Sequence, residues 1–359
     1  MDELAAVIAA YFPSSSAASS SVTVRELAGG NINRGFFLDD GRRSLIVQRI
    51  NPAVFPDPRQ VVANFAVLSA HLAARDFSVA KPVACLNGAD SFQAADGARW
   101  RAQTYIAEHV PGVMARPESM GTILARFHRL TSDLSVRKIP QAIPGFHDTP
   151  AYLKEADRAL AEAPKNSEYK AELGWCREII ERFRPMAHYF AQAEAAGKIS
   201  RRVTHGDPKR ENFICGDNAQ ALGLFDLDTA GPGLIAHDLG DCLRSLANPA
   251  GEETGFQDIR FDLDICREFL AGYRREYARQ HTNTAQSTPP PDIFASDVFA
   301  GLLTIAFELG LRRLTDHLRG DRYFRVARRG DNLRWAMGQF RLAELVAAGE
   351  KEIRALAEP

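Results

Sequence analysis

The stretch VTHGDPKRENFICGDNAQALGLFDLDTAG, residues 203–231, sets Asp207, Asn212, Asp226 and Asp228 among short apolar runs. RRVTH, overlapping its start, reads as a strand ending at His205. Gly206 and Pro208 discourage regular pairing, so GDPKREN reads as an exposed loop. FICGDNAQALGLFDLD then reads as a hairpin whose return strand ends at Asp226. Such a hairpin brings Asn212 and Asp226 together at one end, with Asp207 projecting nearby. A carboxylate and an amide oxygen facing each other are hard donors. They suit a Mg²⁺ ion that keeps several waters and is completed by substrate phosphates. A further carboxylate held off the metal can accept a proton from an attacking hydroxyl. Lys209, two residues beyond Asp207, can lean on a transferring phosphoryl group. Positioning, metal and charge neutralisation are the parts that phosphoryl transfer needs.

The chain around this stretch has 359 residues, room for two medium lobes. Its formal net charge of -1 supplies no basic field, so a nucleic-acid partner is not expected. The five Cys are scattered with no CxxC pair, which argues against a zinc site or a disulfide framework. The opening MDELAAVIAAYF lacks a signal-peptide pattern, and no apolar run reaches membrane-spanning length. A cytoplasmic, reduced, globular protein with no membrane partner is the expectation.

ELAAVIAAYF reads as a short helix ended by Pro13, and SSSAASSS as a connection. VTVREL, a return at GFFL and RSLIVQRI read as strands, with a turn at GGN before the second and another at DDG. DPRQVVANFAVLSAHLAARD reads as an amphipathic helix with Asp57 as cap and Pro58 in its first turn. SVAKPVACLN and RWRAQTYIAEHV supply two more strands. From about Glu108 the chain turns helical, through ESMGTILARFHRLTSDL, YKAELGWCREIIERFRPMAHYFAQAEAAG and NLRWAMGQFRLAELVAAGEKEIRALAE, with ARQHTNTAQSTPPPD as a loop. The class this predicts is α+β, with a β-rich N-terminal lobe over residues 1–107 and a mainly helical C-terminal lobe over 108–359.

The order Asp-x-Lys-x-x-Asn, followed by a strand-end Asp, is that of the kinase catalytic loop and metal-binding Asp. Here His-Gly-Asp stands for His-Arg-Asp, and Asp-Leu-Asp for Asp-Phe-Gly. Together with the Gly-rich hairpin, the linker and HDLGDCLRS, this order resembles the aminoglycoside phosphotransferase and choline kinase superfamily along nearly the whole chain. The resemblance implies a bilobal protein-kinase-like fold, with ATP and Mg²⁺ as cofactors. Three further stretches are similar to the N-acetylhexosamine 1-kinases: SLIVQRINPAVFPDPRQVVANFAVLSAHL, FDLDTAGPGLIAHDLGD and ELGLRRLTDHLRGDRYFRVARRGDNLRWAMGQFRLAEL. Those enzymes phosphorylate the anomeric hydroxyl of N-acetylglucosamine or N-acetylgalactosamine.

That likeness implies Asp207 as the base beside the acceptor, assisted by Lys209, and Asn212 and Asp226 as magnesium ligands. It implies nucleotide contacts at Gly29, Gly30, Asn31, Gln48, Tyr105 and Ile106, and sugar contacts at Arg312 and Tyr323. Asp238 is expected to brace the catalytic loop, with His205 and Asp228 in support. The expected partner is a small molecule, an amino sugar.

One departure stands out. Kinases carry a Lys on the third strand, paired to a Glu of the next helix. LIVQRI puts Gln48 at that Lys position, and the helix that follows contains no Glu, so both partners are missing together. Asn64 is then a candidate partner for Gln48, and Arg49 should point to the opposite face.

Blander readings compete. Asp207 and Asn212 could be loop caps, His128 reads as helix surface or core edge, and Asp241 as structural. A pseudokinase-like binding protein would account for the missing Lys and Glu. Aminoglycoside kinases call for an acidic acceptor cleft, whereas LRRLTDHLRGDRYFRVARR is net basic. A choline kinase calls for an aromatic cage around its ammonium, and none is legible in the sequence.

Overall fold

The computed structural model describes residues 3–13, 22–27, 32–164, 166, 168–279 and 294–358. The turn residues Gly29, Gly30 and Asn31 lie outside them, as do SSSAASSS and most of ARQHTNTAQSTPPPD. Helix α1 (Glu3–Tyr11) leads to strands β1 (Thr23–Glu26), β2 (Arg34–Asp39) and β3 (Ser44–Arg49). Helix α2 (Pro58–Ala73) follows, then β4 (Pro82–Val83), β5 (Phe92–Gln93) and β6 (Arg99–Thr104). The strands form one antiparallel sheet in the order β1-β2-β3-β6-β4, with β5 also on β6. SVAKPVACLN contributes only two residues to it. Pro82 has no N–H to donate, and Ser78 pairs with Gly223 instead.

Alternation sorts the two faces of this sheet. Leu45, Val47, Trp100 and Ala102 are buried against Val7 and Tyr11 of α1. Each such fully buried apolar side chain stabilises the fold by roughly 1.5–3 kcal/mol. Gln48 and Arg101, directly opposite in the β3–β6 register, take the other face. Asp57 caps α2 as expected, accepting from the amides of Arg59 and Gln60. The helix then buries Phe65, Leu68 and Leu72 in the main helical core.

The remainder is mainly helical: α3 (Pro117–Leu130), α4 (Thr149–Glu162), α5 (Lys170–Phe183) and α6 (Tyr189–Ala195). Strands β7 (Arg202–Thr204), β8 (Phe213–Cys215), β9 (Ala221–Leu224) and β10 (Gly231–Gly233) come next, β7 pairing β10 and β8 pairing β9. Helices α7 (Ile235–Leu246), α8 (Leu263–Ala278), α9 (Phe294–Leu318), α10 (Asp331–Ala348) and α11 (Glu350–Ala357) complete the chain. The helical pattern starting at YKAELG divides into α5 and α6 around a 3₁₀ turn, Arg184–His188, that contains Pro185. The last helical pattern divides at Gly349.

Helices α7 and α9 meet backbone to backbone. A Cβ on Gly240 would lie 2.4 Å from the Gly301 carbonyl, and one on Gly301 would lie 2.1 Å from the Ala236 oxygen. Only glycine fits there. The crossing fixes the spacing between Asp238 on α7 and Glu308 and Arg312 on α9. The architecture is thus the α+β, protein-kinase-like one, an antiparallel sheet followed by a helical region. All five cysteines are unpaired and buried. Among the described residues no helix is long and apolar enough to cross a membrane.

Candidate active site

Strand β7 ends at Thr204 and delivers the loop that carries Asp207. Gly206 takes φ +83°, and a Cβ there would lie 2.8 Å from the Thr229 oxygen. The loop is held from below by Asp238. Its two oxygens accept from the amides of His205 at 2.7 Å and Gly206 at 2.8 Å. His128 Nε2 lies 2.8 Å from one of those oxygens, and its Nδ1 lies 2.8 Å from the Tyr273 hydroxyl. Burial alone would raise the Asp238 carboxyl, but the His128 bond and the loop contacts outweigh it and hold the group below its ordinary value. His128 is therefore a buried part of the brace and not helix surface. The His205 ring lies 2.8 Å from the Phe225 carbonyl oxygen and accepts from the Asp207 amide at 3.3 Å.

Asp207, Lys209 and Asn212 converge. Lys209 Nζ is 3.0 Å from Asp207 Oδ2. The Asn212 amide nitrogen donates to the Asp207 carbonyl at 2.7 Å and to its carboxylate at 3.1 Å. The charge on Asp207 raises the Lys209 pKa, so a full positive charge stands beside the loop. The Phe225 amide donates to the Asn212 carbonyl at 2.7 Å, which ties the two hairpin strands and sets Asp226 next to Asn212. The return strand stops at Leu224. Asp226 lies beyond it with φ 51° and ψ 66°, a left-handed conformation that Asp tolerates better than most residues.

Asp226 is exposed, yet protein crowds it closely. That crowding, followed by repulsion from Asp228 and Asp207, pushes its carboxyl up to about 6. With the Asn212 nitrogen spent on Asp207, the amide oxygen is the end left to bind a cation. An amide oxygen and a carboxylate fit a hard divalent ion. Among the described residues no cluster of three His, Cys, Asp or Glu could hold a metal alone, so a metal here would draw its other ligands from substrate and water.

Gln48 does not meet Asn64. Asn64 donates to the Pro140 carbonyl at 2.6 Å and accepts from Gln60 at 2.8 Å. The Gln48 oxygen instead accepts two bonds from Arg101, at 3.2 and 2.7 Å. Arg101 pairs with Asp228 at 2.5 Å, each side chain only 2% exposed. Asn33 adds a bond of 2.6 Å to the other Asp228 oxygen. Arg49 points to the opposite face, as alternation requires, and pairs with Glu3 and Asp96. At the end of β6, Ile106 is buried, and Tyr105 is exposed with its ring 5.1 Å from that of Phe37.

A pocket opens beside Asp207 and Lys209, and Arg312 and Tyr323 line it. The Arg312 guanidinium lies 5.3–5.6 Å from the ring centroids of Phe146, Tyr152, Tyr323 and Phe324. It donates to the Tyr323 hydroxyl at 3.1 Å. The fold thus does build an aromatic box, from segments too far apart to show in the sequence, and the chain's own Arg312 fills it. Below, Glu308 lies 2.9 Å from His147 Nδ1 and accepts from Thr149 at 2.6 Å. His147 Nε2 lies 2.9 Å from the Gly206 carbonyl oxygen. Burial would raise the Glu308 carboxyl, but His147 outweighs it and pulls it down to about 2. Arg101, His147, Glu308 and, apart from Tyr323, the rings were not among the expected site residues. Only Arg101 left a local sign, as a charge alternating between Trp100 and Ala102.

Solved structures with this fold include an amicoumacin kinase in complex with AMP-PNP, Ca2+ and Ami, with 16% identity, 99% of this chain and 94% of that one covered, and TM-score 0.60. A microcompartment-associated aminopropanol kinase matches with 16% identity, 96% and 97% coverage, and TM-score 0.61. A choline kinase from Cryptosporidium parvum matches with 13% identity, 98% coverage of each chain, and TM-score 0.62. Residues 23–282 match the model of the phosphotransferase enzyme family, APH. With well over half its length matched, and the loop, brace and hairpin assembled as above, this chain belongs to the phosphotransferase enzyme family.

Proposed function

We propose that the protein is an ATP-dependent small-molecule kinase whose acceptor is the anomeric hydroxyl of an N-acetylhexosamine. In this reading a cleft divides residues 1–107, the nucleotide-binding lobe, from 108–359, the catalytic and acceptor-binding lobe. Gly29, Gly30 and Asn31 would contact ATP, as would Tyr105 and Ile106, while Gln48 acts through Arg101. Asp207 accepts the acceptor's hydroxyl proton as that oxygen attacks the γ-phosphorus. The bond to the β–γ bridging oxygen breaks, ADP departs, and Lys209 steadies the charge on the phosphoryl oxygens. Asn212 and Asp226 would hold Mg²⁺, which when bound neutralises charge on the phosphates. Asp238, His128 and His205 keep the loop in place.

The observation that carries the acceptor class is Arg312 in its box of rings. Aromatic faces attract cations, worth about 0.5–2 kcal/mol. An ammonium acceptor would have to displace a covalently held guanidinium from its site. A neutral polyol instead gains charged and phenolic hydrogen-bond donors beside Asp207. A site built around such bonds rejects analogues lacking the matching hydroxyls.

The test is a panel of N-acetylglucosamine, N-acetylgalactosamine, free hexoses, choline and aminoglycosides, with NMR of any product. N-acetylhexosamines phosphorylated at the 1-position are expected. Phosphate on another oxygen, or choline or an aminoglycoside turned over far better, overturns the acceptor assignment. Asp207→Asn should keep fold and nucleotide binding but lose turnover by ~10²–10⁴. Near-normal turnover in that variant removes Asp207 from the chemistry.

A further inference from the structure

The missing Lys and Glu leave the sheet side of the cleft without its usual cation at the third strand. The cation is present one strand over. Arg101 on β6 stands directly opposite Gln48 on β3 and donates two bonds to its amide oxygen. Its guanidinium also lies 4.7 Å from the Phe65 ring of α2, the helix that lacks a Glu. The counter-charge comes from the opposite side of the cleft, from Asp228, two residues beyond Asp226. Asn33, just past the expected phosphate turn, closes on the same carboxylate and also accepts from the Asn51 amide.

We propose that Arg101 and Asp228 form a clasp across the cleft that replaces the strand–helix ion pair. Arg101 is then a positioning residue that seats the sheet over Asp226 and the nucleotide phosphates. In the usual arrangement both charges belong to the sheet side. Here one belongs to each side, so the same contact joins the two sides and fixes how far the cleft stands open. Gln48 orients the guanidinium by accepting from two of its nitrogens. Charges removed from water this fully persist only when paired, so the clasp is set before any nucleotide arrives.

The inference rests on reading the cleft as a nucleotide site, and the test separates the two. Mg·ATP binding is measured by calorimetry on wild-type protein, Arg101→Gln, Asp228→Asn and the double variant Gln48→Lys with Arg101→Gln. Thermal melts report folding, and steady-state kinetics give KM for ATP and for the acceptor separately. Arg101→Gln and Asp228→Asn should each weaken Mg·ATP binding by ~10-fold or more, with acceptor KM at saturating ATP unchanged. Returning the cation to strand β3 in the double variant should recover most of that loss. Loss of packing against Phe65 could not be recovered in this way. If Arg101→Gln does not fold, Asp228→Asn and the double variant carry the comparison. Wild-type protein that fails to bind Mg·ATP sinks the nucleotide reading and this inference with it. Wild-type binding with indifferent variants, or a double variant as weak as Arg101→Gln, sinks the clasp alone.

Discussion

Each end of the cleft holds an arginine out of bulk water, and the two are satisfied in different ways. Arg101 faces a carboxylate at 2.5 Å and an amide oxygen, so its charge is cancelled where it stands. Arg312 faces four rings and donates to the hydroxyl of one of them, Tyr323; these hold it without cancelling it. A neutralised cation serves to fix distance between two bodies. A cation held by rings still presents its field and spare N–H groups to whatever enters the pocket. The difference teaches that burial of an arginine says little about its role until its partner is named.

The largest effect expected from this contrast is on stability. Arg101→Met leaves Asp228 buried and unpaired, which costs about 3–5 kcal/mol. Arg312→Met loses ring and phenol contacts only, at about 1–2 kcal/mol. Urea denaturation of both variants measures the gap, and equal losses would break the contrast. Next comes binding. Arg312→Ala should cut kcat/KM for the sugar by roughly 10–100-fold, since one charge-assisted hydrogen bond is worth about 1.5–3 kcal/mol. Affinity for ATP should hardly change, and an equal loss of both would place Arg312 outside the acceptor site.

The third effect uses pH. Burial would lower the pKa of His147, but the charge and hydrogen bond of Glu308 raise it above its ordinary value. The folded state therefore binds that proton more tightly than the unfolded chain. Its stabilisation is complete below the unfolded value of about 6.5 and is lost as pH rises through the higher folded value. Denaturation of wild type against His147→Gln across about pH 6–9 should show an advantage that shrinks as pH rises. An advantage that grows or stays flat reverses the assignment. Arg101 and Asp228 form no such histidine pair, so the drift belongs to the acceptor end. The smallest effect is at Arg49, the neighbour of Gln48 on the outer face. Its pairs with Glu3 and Asp96 are partly exposed, so Arg49→Ala should shift stability by no more than about 1 kcal/mol, read from the same melts.

How much of this was legible depended on distance along the chain. Asp207, Lys209, Asn212 and Asp226 sit within one loop and hairpin, so spacing alone brought them together. Asp57 and Pro58 announced α2 because capping is local. Asp238 was placed through resemblance, and the structure adds the amides it holds. The clasp was not legible, because Gln48, Arg101 and Asp228 meet only after the sheet has folded over the hairpin. Asn64 looked like the natural partner for Gln48, but a helix residue nearby in sequence is not nearby in register. The aromatic box needed Phe146, Tyr152, Tyr323 and Phe324 from separate segments, and periodicity gives no hint of such a meeting. SVAKPVACLN looked like a full strand, and Pro82 limited it to two residues.

The glycine seam between α7 and α9 has a consequence for how this pocket could change over generations. Because Gly240 and Gly301 lock the two helices at contact distance, α9 cannot drift to suit a new acceptor. It can only change what it displays. Ile305, Glu308, Leu309, Arg312 and Arg313 form one stripe along it, all on the pocket wall. A change of acceptor would therefore be written as point substitutions on a fixed rail, leaving the Asp207 loop untouched. A randomised library confined to those positions is the natural place to look for new acceptors, and one that alters either glycine is a place to expect misfolded protein.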